Sequence, residues 1–163
     1  MSHRSPSERL AELGVVLPAV PTPAGAYVPA VRVGDLVYTA GQLPFVNGEL
    51  TETGLVGADV SAERAAELAR TAAINAVAAV ADLTGGVDAI GQVVKAVVFV
   101  ASAPDFVDQP AVANGASEVL GAIFGDAGRH ARSAVGVAVL PKNSPVEVEL
   151  VVQVHSTPTI HPL

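Results

Sequence analysis

The chain has 163 residues, 50% hydrophobic and 15% charged, with no cysteine and a formal net charge of −7. That length suits one domain; the missing thiols exclude a disulfide framework and thiolate chemistry, and no basic run is present to neutralise a phosphate backbone, so a nucleic-acid partner is disfavoured. No apolar run reaches the ~18 residues of a membrane span, and Met1 to Arg9 is polar without a signal peptide's apolar stretch, so the expectation is a soluble, cytoplasmic protein without a membrane partner.

A short helix is expected from Ser7 to Gly14, capped by Ser5 or Ser7. Three prolines between Pro18 and Pro23 then impose an extended lead-in. Tyr27–Val33 and Leu36–Leu43 read as strands about a Gly34-Asp35 turn. Gly41 inside the second predicts a bulge or a close backbone approach. Asn47-Gly48 marks a further turn, with a short strand at Glu49–Thr51. Ser61 caps an alanine-rich helix from Ala62 to about Leu83, stopped by Gly85-Gly86. Val93–Ala101 is apolar at nearly every position, as in a strand covered on both faces. A helix from Gln109 or Pro110 to Phe124 follows.

The last third predicts strands at Ser133–Leu140 and Val146–Val154. The turn formers of Pro141–Pro145 separate them, which reads as a hairpin. Alternation puts Val146, Val148, Leu150, Val152 and Val154 on the core face and Glu147, Glu149, Val151 and Gln153 on the other. Residues 155–163 form a tail with little to anchor it. The organisation is therefore 1–23 as short helix and lead-in, 24–154 as the domain, and the tail. About six strands and two long helices make an α+β domain with both helices on one sheet face. The other face carries too many valines to stay bare, which argues for oligomerisation.

Carboxylates on an apolar strand need solvent, a cation or a site. Arg132 is the leading cation, because a guanidinium keeps its charge and grips a carboxylate bidentately. On the residues alone, the simpler reading is an ion pair between Arg132 and Glu147 or Glu149. Glu147 either balances that charge or, in a partly apolar cleft, works as an acid or base. Tyr27 is either a ligand-facing phenol or a half-buried strand tyrosine, and Gly41 either lies beside a ligand or only forms a bulge. Arg129 and His130 precede Arg132. His130 is a candidate proton shuttle or a plain loop histidine, and His3, His155 and His161 sit in expected tails. Neither metal-ligand spacing nor a nucleophile elbow around Ser102, Ser117 or Ser133 occurs, so no metal is expected.

Three stretches together resemble the RidA family, also called YjgF. They are Gly25-Ala-Tyr-Val-Pro-Ala with Val37-Tyr-Thr-Ala-Gly-Gln-Leu-Pro44; Val93-Val-Lys-Ala-Val-Val-Phe-Val100 with Asp105-Phe106; and Ala131-Arg-Ser, Leu140-Pro-Lys and Val146-Glu-Val-Glu. The run Gly128-Arg-His-Ala-Arg-Ser-Ala-Val-Gly-Val resembles a less characterised branch. The resemblance implies a chorismate-mutase-like fold, a homotrimer with clefts between subunits, and hydrolysis of 2-imino acids to 2-keto acids and ammonia without a cofactor. It implies that Arg132 holds the substrate carboxylate, that Glu147 positions or activates water, and that Tyr27 and Gly41 border the cleft. Members are often labelled endoribonucleases, which the charge here does not support. Three positions depart from the pattern of active deaminases: Ala40 replaces a serine, Ala134 a cysteine and Pro104 an asparagine. The small-carboxylate partner is thus better supported than turnover, and a non-catalytic binding module is the alternative.

Overall fold

The computed structural model describes residues 4–156. In chain order it contains α1 (Pro6–Leu13), β1 (Ala30–Val33), β2 (Leu36–Thr39), β3 (Phe45–Val46), β4 (Glu49–Leu50), α2 (Ala62–Thr84), β5 (Ile90–Ala101), α3 (Gln109–Phe124), β6 (Ala131–Val137) and β7 (Val146–Val154). Single 3₁₀ turns lie at Val87–Ala89, Gly125–Gly128 and Pro141–Asn143.

The helix ends follow local chemistry. Ser5 Oγ accepts the Glu8 N–H at 3.2 Å and the Glu8 carboxylate accepts the Ser5 N–H at 2.7 Å, a reciprocal cap. Gly14 then closes α1 in the left-handed region. This helix is tied to the domain: Ser7 donates through both N–H and Oγ to Asp88, and Leu10 enters the core. Ser61 Oγ caps α2 by accepting the Arg64 N–H, and Gly85, again left-handed, ends it.

The main sheet has five strands in the order β1-β2-β7-β5-β6, with β3 and β4 paired separately. The expected count of about six thus resolves into five plus a two-stranded ribbon. β6 runs parallel to β5, and the other neighbours are antiparallel, so the sheet is mixed. The expected hairpin of the last two strands does not form: β5 lies between β6 and β7. The intervening segment, 138–145, is long enough to cross one strand, since strands sit about 5 Å apart and a residue spans about 3.3 Å. It crosses the end of β5, where the Pro145 carbonyl accepts the Ala101 N–H at 2.9 Å. With α3 between them, β5 and β6 form a parallel crossover, and β6 is left at the sheet edge.

Both α2 and α3 cover one face. The alternation read in β7 holds: Val146, Val148, Leu150, Val152 and Val154 are buried under the helices with Val93, Ala96, Val98 and Val100 of β5. Alanines along α2 let α3 approach closely, so closely that a Cβ at Gly115 would overlap the Ala66 carbonyl. The opposite face carries Val31, Tyr38, Val97, Phe99, Val135 and Val151 beside Glu147 and Glu149, and nothing among the described residues covers it. The expectation that β5 is covered on both faces therefore fails within one chain. Strand bounds also shift. The first strand begins at Ala30, leaving Tyr27 in the bend before it, and the strand expected at Ser133–Leu140 is Ala131–Val137. Among the described residues no helix is long and apolar enough to cross a membrane. Beyond Ser156 the expected tail, with His161, lies outside the described residues, as does His3.

Candidate functional site

Arg132 is the second residue of the edge strand β6. Its register partner is Ala96, whose own partner across β5 is Leu150, so Arg132 projects on the helix-covered face. There its Nη1 donates to Asn114 Oδ1 at 2.8 Å and Ser117 Oγ at 3.2 Å, both on α3. The alternative of an ion pair with Glu147 or Glu149 is not realised. Among the described residues Arg132 makes no salt bridge, and the two carboxylates lie on the other face.

His130 joins the same cluster. Its Nδ1 is 2.7 Å from the Gly128 carbonyl and its Nε2 is 2.9 Å from Ser117 Oγ. A carbonyl only accepts, so Nδ1 carries a proton. Gly128 is pressed against α3, where a Cβ would overlap the Leu120 carbonyl, and this closeness sets the turn that carries His130. Ser117, Gly121, Gly128, Arg129, His130 and Arg132 line an open pocket of about 360 Å³. Gly121 keeps it roomy, since a Cβ there meets nothing within 4 Å. Arg129 itself points to solvent. Its side chain is 86% exposed and only 3.7 Å from Asp126, a surface pair worth little.

Glu147 projects from β7 onto the uncovered face beside Phe99. Burial raises its pKa above the ordinary carboxylate range, and the charge of Glu149, two residues along the same face, pushes the same way. Gly41 makes the room it occupies: a Cβ there would overlap the Glu147 carboxyl group. Both the close approach and the bulge expected at Gly41 are present. Tyr38 pairs with Val151 but Gln42 bridges Val148, a slip of one residue, and Thr39 Oγ1 takes the Leu150 N–H at 3.0 Å where the ladder is interrupted. Tyr27 is 57% exposed and off the strand. The Pro29 carbonyl accepts the Ala40 N–H, so the segment carrying Tyr27 runs into β1 beside the Gly41 bulge.

The sequence candidates thus fall into two groups on opposite faces of one sheet. One is Arg132 with His130 and the margin residue Arg129; the other is Glu147 with Gly41, near which the Tyr27 segment runs. Asn114, and Ser117 as a partner of Arg132, were missed. Their signal is a pair of polar residues three apart on a helix whose other polar residues are only Gln109 and Glu118.

A sequence model described as "YjgF/chorismate_mutase-like, putative endoribonuclease" matches residues 7–154. The chain is 40% identical to Protein TCP17 of Trypanosoma cruzi over 90% of its own length and 92% of that protein. It is 34% identical to a 2-iminobutanoate/2-iminopropanoate deaminase of Escherichia coli, covering 80% of this chain and 89% of the relative. A crystal structure of an Agrobacterium tumefaciens protein with unknown function superposes with a TM-score of 0.84 at 44% identity, covering 92% of each chain.

Proposed function

Because the chain belongs to the YjgF/RidA family, we propose that it hydrolyses reactive 2-imino acids to 2-keto acids and ammonia, with the carboxylate held by Arg132. The observation that carries this reading is a cation at a sheet edge, beside an open pocket, with no carboxylate partner among the described residues. A guanidinium in that state is a receptor for a planar anion. Relatives at 34–36% identity are named 2-iminobutanoate/2-iminopropanoate deaminases, whose substrates are small carboxylates.

In the reaction water adds to the imine carbon, the C–N bond breaks and ammonia leaves. Glu147 is the proposed acid–base group. With a raised pKa it takes a proton from the attacking water and returns it to the departing nitrogen. Arg132 and Glu147 stand on opposite faces of one chain, so a single site using both takes them from two copies. The uncovered apolar face supplies a surface for such assembly, and a homotrimer with clefts between subunits is the assembly that the family resemblance supports. Tyr27 and Gly41 border the cleft on the Glu147 side.

A second reading is a binding module that holds a small carboxylate without turnover. Ala40, Ala134 and Pro104 favour it, since each lacks a polar group that the resemblance places around the cleft of active deaminases. A ribonuclease is the weakest reading for a chain of net charge −7.

The test generates an imino acid in situ with an amino-acid oxidase and follows keto-acid release against the spontaneous rate. Acceleration by wild type that is lost in Arg132→Ala supports the deaminase. Wild type no faster than buffer, yet binding 2-keto acids through Arg132, supports the binding module. Binding unchanged in a folded Arg132→Ala removes both.

A further inference from the structure

The cluster around Arg132 is ordered in one direction. The Gly128 carbonyl requires a proton on His130 Nδ1. In the neutral imidazole that leaves Nε2 as an acceptor, and the only proton Ser117 Oγ can offer goes there. The Ser117 oxygen then turns a lone pair to Arg132, and Nη1 spends its two protons on Ser117 and Asn114. Without His130 the hydroxyl is free to rotate and to bond back to a carbonyl of its own helix, as helical serines do. The guanidinium would lose one of the two contacts that fix its plane.

We propose that Ser117 and His130 are positioning residues that hold the Nη1 side of Arg132 against α3, so that its Nε–Nη2 edge is presented to take a carboxylate side-on. Among the described residues Nε and Nη2 have no partner, and they are the two donors of one planar fork. The chain from Gly128 to Arg132 lies within one subunit and opens on the 360 Å³ pocket lined by Ser117, His130 and Arg132. The ligand class is therefore a planar oxyanion read through two parallel N–H bonds, and a monodentate cation at 132 would not serve. The proposal rests on the reading of Arg132 as the carboxylate anchor, but the positioning can be measured without a ligand.

Two measurements on the full chain test it. The first is binding of 2-oxobutanoate by calorimetry in a double-mutant cycle. Ser117→Ala should weaken binding about 3- to 10-fold, the loss of one hydrogen bond that orients a charged group, and Ser117→Thr, which keeps Oγ, should recover most of it. His130→Ala should cost a similar factor, and the two losses together should cost little more than one, because they break one chain. In an Arg132→Lys background, already weak, Ser117→Ala should cost nothing further, since no fork is left to orient. Equal losses in both backgrounds would make the roles of Ser117 and His130 merely structural and overturn the proposal.

The second measurement is nitrogen NMR of the side chains without ligand. With the imidazole in its neutral form, wild type should show the Nδ1–H tautomer of His130, and slowed rotation and exchange at Arg132 Nη1; both Ser117→Ala and His130→Ala should release that slowing. Arg132 signals that do not respond to either substitution would overturn the proposal. Signals that respond in a wild type that binds no 2-oxobutanoate would support the positioning while sinking the carboxylate reading of Arg132.

Discussion

The carboxyl of Glu147 and the missing side chain of Gly41 are one feature. The carboxyl occupies the space a Cβ would take. Gly41→Ala should displace it, and because the displaced group is the free end of a flexible side chain the fold should lose no more than about 1 kcal/mol. A urea midpoint within that range, together with loss of imino-acid turnover, is the expected result. Glu147 also makes a pH prediction. Burial, helped by Glu149, raises its folded pKa above the unfolded value, so the native chain holds this proton more tightly. Its contribution to stability is therefore lost as pH climbs from the ordinary carboxylate value through the raised one. Glu147→Gln should stabilise relative to wild type near pH 7, and the difference should vanish near pH 3.5, below the unfolded value of about 4.3. Urea titrations at fixed protein concentration read this directly. If Glu147 manages protons, the same substitution slows turnover about 10²-fold or more while leaving carboxylate binding largely intact.

Among the elements, the contact of α2 with α3 is the least tolerant. A methyl group at Gly115 would meet the backbone of Ala66, and backbone cannot swing aside as a side chain can. Gly115→Ala should therefore destabilise by about 1–3 kcal/mol through overpacking, although alanine is the better helix former. The control is Gly121→Ala on the same helix, where the new Cβ meets nothing and the urea midpoint should hold or rise. The cap of α2 is a smaller lever: Ser61→Ala should cost about 1 kcal/mol. The positions of β6 and β7 show where element-level reading stops. Each strand was legible, but the short segment joining them suited a tight turn and a crossing over β5 equally well. Only β5, which accepts β6 on one side and β7 on the other, separates the two.

For the whole molecule the uncovered sheet face dominates. Val31, Tyr38 and Val135 are each more than 40% exposed and share it with half-buried Val97, Phe99 and Val151. An uncovered sheet face this rich in apolar side chains, with Lys95, Glu147 and Glu149 among them, is a surface for association. Light scattering at micromolar concentration should give a trimer, and a stable monomer would count against both the assembly and the shared cleft. Val135→Asp should dissociate it while leaving the chain folded, because the side chain is already 41% exposed. Net charge acts at this scale too. At −7, RNA affinity at physiological salt should be weak and without a steep salt slope, measured on protein free of contaminating nuclease.

Local chemistry was enough to determine much of this protein. Ser5 and Ser61 announced helix starts, Gly14 and Gly85 announced ends, and the alternation of Val146 to Val154 assigned a core face and put Glu147 on the other. These signals act within a few residues, so they survive without knowledge of the fold. The network at Arg132 could not be read in the same way. Asn114 and Ser117 lie 18 and 15 residues before it, and they reach it only because α3 packs beside an edge strand. The placement of Arg132 and Glu147 on opposite faces was likewise beyond the sequence. The unbroken alternation of β7 assigns its faces, but Ala131–Val137 has no such pattern, so the face that Arg132 takes depends on register with a neighbour, and a slip of one residue reverses it. Only the pairing of Arg132 with Ala96, and of Phe99 with Glu147, decided that one chain places these two residues on opposite faces of its sheet.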